Sequence, residues 1–64
     1  MTHAYFGRAN TDDGRNIRIL IVEKNVGVII NEPFMIDGEL VEIKDSDISW
    51  VEQMLETFGI DLVL

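Results

Sequence analysis

The sequence predicts an α+β domain: a small antiparallel sheet, a meander of hairpins with about five to six short strands, packed on one C-terminal amphipathic helix and closed by a short final strand. Three observations predict it. Ile17 to Asn31 is so rich in β-branched residues that it reads as two strands folded back on each other. Asp13-Gly14 and Asp37-Gly38 stand between apolar runs, where a reversal needs residues that accept positive φ. Past Lys44 the apolar period changes from two to that of a helix, which Gly59 stops. A small bent barrel with an appended helix satisfies the same observations and is the alternative.

The elements follow in order. Thr2 to Arg8 alternates His3, Tyr5 and Gly7 with Ala4, Phe6 and Arg8, a strand pattern carrying two aromatics. The turn formers of Asn10 to Asn16 return it onto the next strand, with Gly14 supplying the positive φ. Within Ile17 to Asn31 a turn at Lys24-Asn25 would set Glu23 opposite Val26, Ile21 opposite Val28 and Ile19 opposite Ile30. Ile17, Ile19, Ile21, Val26, Val28 and Ile30 then share one wholly apolar face, the expected seat of the helix. The other face collects Arg18, Leu20, Val22, Gly27, Ile29 and Asn31 and is mixed.

Pro33 lacks a ladder donor, so the chain leaves the sheet, bulges or runs along an edge there. A second short hairpin follows around Asp37-Gly38, pairing Ile36 with Glu39 and Phe34 with Val41, and is expected to act as a flap over one end of the core. From Ile48 to Phe58, residues Ile48, Val51, Met54, Leu55 and Phe58 fall on one side of a helical wheel with Trp50 at its margin. Ser46 or Asp45 can cap this helix and Asp47 adds charge at its positive end. Ser49-Trp-Val-Glu52 also fits a capping box, but Ile48 belongs to the apolar face and favours the earlier start. Ile60 to Leu64 reads as a final strand, tied either into this sheet or onto a neighbouring subunit.

Sixty-four residues make a single domain, 1–64, near the lower size limit for independent folding, with 47% hydrophobic residues and no cysteine to staple it. Met1 to Arg8 lacks the basic and apolar regions of a signal peptide, no apolar run approaches a membrane span, and the absence of thiols suits a reducing compartment. The expectation is a soluble cytoplasmic protein. The net charge of −7 is unevenly spread. Residues 1–31 carry four basic and three acidic groups, whereas residues 32–64 carry one basic and nine acidic groups. An acidic C-terminal half of this kind repels nucleic acid and anionic membrane, although surface acidity also serves plain solubility.

Catalysis is hard to assemble from this inventory, and the chain is not expected to be an enzyme. The one histidine, His3, stands near the N-terminus, Ser46 and Ser49 are better explained as helix caps, and Asp12-Asp13 lies in a turn. Asp45-Ser-Asp47 with Glu56 at the twelfth position outlines a calcium loop, but Trp50 occupies the sixth position, where glycine is required. No zinc constellation, phosphate-cradling glycine pattern or other cofactor signature occurs, so no metal and no cofactor is predicted.

Binding is what remains. Glu39, Glu42, Asp45, Asp47, Glu52 and Glu56 would form an acidic band across the second hairpin and the polar arc of the helix, with Trp50 as an aromatic anchor. The expected partner is a protein with a basic surface, with no direct contact to nucleic acid or membrane. In size and charge the chain resembles phage-encoded or mobile-element inhibitors that occupy nucleic-acid-binding grooves as charge mimics. The competing expectation is a self-assembling structural subunit, a homodimer joined through Leu20, Val22, Ile29, Leu62 and Leu64.

Overall fold

The structure is a computed structural model and describes residues 2–64. The strands are β1 (His3–Asn10), β2 (Asn16–Asn25), β3 (Ile29–Pro33), β4 (Met35–Ile36), β5 (Glu39–Leu40) and β6 (Asp61–Val63). A 3₁₀ turn over Asp45–Asp47 leads into α1 (Ile48–Thr57), the single α-helix among the described residues. The architecture is α+β, with a four-stranded sheet ordered β3-β2-β1-β6, a separate two-stranded sheet β4-β5 and the one short helix.

Turn chemistry works as expected in three places. β1 and β2 pair antiparallel, from His3 opposite Glu23 to Asn10 opposite Asn16, around a turn in which Gly14 takes φ 86°. β4 and β5 pair Ile36 with Glu39 around Asp37 (φ 53°) and Gly38 (φ 80°), the positive pair a type I′ turn demands. Gly59 (φ 70°) ends the helix: its N–H donates to the Glu56 carbonyl and that of Ile60 to the Leu55 carbonyl. Those two bonds make a Schellman closure, and Ile60 packs into the same core as Leu55.

The β2–β3 hairpin departs from the expected register. Asn25 pairs with Ile29, Glu23 with Asn31 and Ile21 with Pro33, around a loop Val26-Gly27-Val28. Gly27 adopts φ 94° and its N–H donates to the Asn25 side chain, so glycine rather than Asn25 provides the left-handed residue. The shift moves Ile30 off the face of Ile21 and leaves Val26, Val28 and Ile29 exposed.

The helix also takes the other face of the sheet. Ala4, Leu20, Ile43, Val51 and Leu55 form the buried core, with Phe6, Val22, Phe34, Val41, Met54, Ile60 and Leu62 packed against it. The face bearing Leu20 and Val22, read as mixed from β2 alone, is therefore the inner one. Ile17, Ile19 and Ile21 point to the opposite side. Arg18, the charged member of the inner face, sits at its rim with its guanidinium 5.9 Å from the Phe6 ring centroid and 2.8 Å from Asp45. Phe58, counted on the helix's apolar side, is 72% exposed because it lies at the C-cap, beyond the last helical turn.

Two further corrections concern the sheet. β6 pairs parallel to β1, Ala4 beside Leu62, so the sheet is mixed rather than antiparallel throughout. The sheet is open, with β3 and β6 as separate edges, and does not close into a barrel. Beyond β3, the Phe34 N–H donates to the Leu20 carbonyl and the Ile43 N–H to that of Arg18. The small β4–β5 hairpin is thus looped out from the β2 edge between two anchored residues.

Candidate functional site

The helix start determines where the acidic residues stand. Neither Ser46 nor Asp45 caps it. Instead the Lys44 N–H donates to Asp47 Oδ2 at 2.9 Å, and the Trp50 indole N–H donates to Asp47 Oδ1 at 3.0 Å. The backbone bond, and after it the bond from Trp50, holds the Asp47 carboxyl below its ordinary pKa. Asp47 is therefore committed to the fold, and Trp50, 40% exposed, is held one turn along the helix by it.

The other candidate carboxylates divide among three surface grooves. Glu42 and Asp45 border a groove of about 200 Å³ together with Arg8, Arg18 and Lys44. Glu42 pairs with Arg15 at 3.3 Å and Asp45 with Arg18 at 2.8 Å. Glu39 borders a second groove of about 610 Å³ between the β4–β5 hairpin and the Asn10–Arg15 turn. In that turn Thr11 and then Arg15 hydrogen-bond Asp13 and lower its pKa. Glu52 and Glu56 border a third groove, about 340 Å³, between α1 and β6. The expected band is thus not one surface of equivalent charges: Glu42 and Asp45 are paired, Asp47 is held by the Lys44 and Trp50 N–H groups, and Glu39, Glu52 and Glu56 have no cationic partner among the described residues.

The third groove contains residues that sequence reasoning left out of the site. Asp61 joins Glu52 and Glu56 on its rim, and Leu55, Ile60 and Leu62 supply apolar lining. The available signal was Asp61 itself, the one charge inside an otherwise apolar final strand. Of the residues expected to join two subunits, Leu20 is wholly buried under α1, and Val22 and Leu62 are half-buried against the same core. Ile29 and Leu64 are exposed, at 66% and 92%.

His3 lies in β1 with its imidazole 3.9 Å from Glu23, and it borders none of the three grooves. Among the described residues no three His, Cys, Asp or Glu side chains converge as a metal site, and no helix is long and apolar enough to cross a membrane. Compared with protein-family models, curated proteins and solved structures, the chain matches none.

Proposed function

We propose that this chain is a non-catalytic protein-binding module that engages a basic surface of a partner through its acidic C-terminal half. One observation carries the reading. The chain's few cations are largely spent internally: Arg15 on Asp13 and Glu42, Arg18 on Asp45, and Lys24 on Glu32. Asp12, Asp37, Glu39, Glu52, Glu56 and Asp61 are left without a cation within 4 Å among the described residues. Unopposed charge of one sign steers association toward the opposite sign. Inhibition or regulation of a protein whose basic surface otherwise meets nucleic acid is the role this charge suits.

The test is capture of partners from lysate of the source cell on immobilised chain, with a salt series and DNA as competitor. Partner recovery is expected to fall with salt, with added DNA, and with E52K and E56K. Recovery indifferent to all three overturns the reading. Self-assembly is the second reading, favoured by the exposed Val26, Val28 and Ile29 at one end of the sheet. It requires a dimer in sedimentation that I29T disperses.

A further inference from the structure

The groove between α1 and β6 adjoins an open sheet edge. Among the described residues β6 pairs only with β1 and ends the sheet, so the backbone groups on its other side have no strand there to bond. The opposite edge is guarded. β3 ends in Pro33, which offers no donor, and carries the Lys24–Glu32 cross-strand pair at 3.3 Å. Along β2 beyond β3, the edge is occupied by the bonds from Phe34 and Ile43. β6 has neither a proline nor a basic residue, and its one charge is Asp61.

Register defines what an added strand would meet. Leu62 shares the α1-covered face with Ala4, whereas Asp61 and Val63 share the other face with His3 and Tyr5. Side chains of an added strand on the α1 side would lie over Leu62, Leu55 and Ile60 and end at Glu52 and Glu56. A lysine or arginine fits both parts, its methylene stem on the aliphatic lining and its charge at the carboxylates. Alternate side chains would fall beside Val63, which is half exposed, and suit apolar residues. A second copy of this chain does not suit the edge, because β6 against β6 would set two rims of Glu52, Glu56 and Asp61 together.

We infer that the β6 edge and the groove beneath α1 take an extended segment of a partner protein by strand addition, with basic side chains toward α1 alternating with apolar ones toward Val63. This rests on the reading of the chain as a binder of basic proteins, and it adds the place and the mode. The probe is a blocked peptide of alternating lysine and valine, titrated at low salt into the isotopically labelled full chain while backbone amide signals are followed. Saturable shifts are expected in Asp61–Val63 and Glu52–Glu56. Affinity should drop about ten-fold with E52Q and E56Q combined, two exposed charge pairs being lost. The same peptide methylated at every backbone amide keeps its charge but cannot pair, and should not bind.

Equal binding of the methylated peptide overturns strand addition. Shifts that saturate elsewhere on the chain overturn the groove while leaving a basic partner in place. If neither this peptide nor polylysine binds anywhere on the chain, both the inference and the reading beneath it fail.

Discussion

The two faces of β2 are built from similar aliphatic residues and meet different fates. Leu20 and Val22 lie under α1 with Ala4, Phe6 and Leu62, whereas Ile17, Ile19 and Ile21 lie on the side no helix covers. Hydrophobicity of β2 alone would assign the helix to the isoleucines. The neighbouring strands reverse that choice. On the isoleucine side, His3 sits opposite Glu23 and beside Asp61, and Glu23 sits opposite Asn31, so a polar row crosses all four strands. A helix laid there would have to take Asp61, His3 and Glu23 out of water together, at a cost of several kcal/mol. On the Leu20 side the corresponding row is Leu62, Ala4 and Val22, ending at Glu32 on the edge.

The uncovered face is not uniformly open. Ile17 and Ile19 are buried, although they lie outside the core cluster under α1. The β4–β5 hairpin emerges beside them, after Phe34 bonds to Leu20, and the Arg15–Glu42 pair joins its far end to the β1–β2 turn. Met35 and Ile36 of the hairpin are exposed and none of its strand residues is buried, in contrast to Val51 and Leu55 of α1.

The largest expected difference between the faces is in truncation. Leu20→Ala removes a wholly buried side chain beneath the helix and is expected to cost about 3 kcal/mol, read as a lower denaturation midpoint. Ile36→Ala, on the outside of the hairpin, should stay within about 0.5 kcal/mol of the parent chain. Equal losses at the two positions would mean that the hairpin is as much a core element as α1.

A smaller effect tests the packing of the uncovered face. Gly7 stands opposite Ile19, and a methyl there would run into Cδ1 of Ile21. Ile21 is half-buried and can turn that terminal methyl outward, so Gly7→Ala should cost only about 1 kcal/mol. In an Ile21→Val background the obstructing methyl is gone. The cost of Gly7→Ala should then vanish, and a cost unchanged in the double variant would show that backbone, not Ile21, fills the space.

What the sequence disclosed follows the range of the forces involved. Asp13-Gly14, Asp37-Gly38 and Gly59 announce themselves because a positive φ is a property of one or two residues. The amphipathic helix is legible for the same local reason. The β2–β3 register is not, since Val26-Gly-Val-Ile-Ile30 is apolar at every side chain and offers no alternation to fix parity. The covered face depends on residues from β1, β3 and β6 at once, and the parallel partner of β6 depends on where α1 delivers the chain. Of the candidate site, the carboxylates Glu52 and Glu56 could be named from the helical wheel. Their separation from Glu42 and Asp45, which Arg15 and Arg18 neutralise across 27 residues of sequence, could not.

The smallest effect separates the faces by pH. Asp47 holds the Lys44 N–H and the Trp50 indole at the start of α1, so its carboxylate stabilises the element that covers only the Leu20 face. Its pKa is lowered in the folded chain. A lowered folded-state value means the contribution is complete above the unfolded aspartate pKa of about 3.9 and is lost as pH falls through the folded value. The parent chain should therefore melt a few degrees above Asp47→Ala at neutral pH, and the gap should close under acid below about pH 3.9. Side-chain methyl signals distinguish which face responds, because side chains and not amides alternate between the faces of a strand. In Asp47→Ala at neutral pH, the methyl signals of Leu20, Val51 and Leu55 should shift and broaden first, while those of Ile17 and Ile19 stay as they are. Equal change on both faces would make the domain a single cooperative unit, in which α1 and the hairpin open as one.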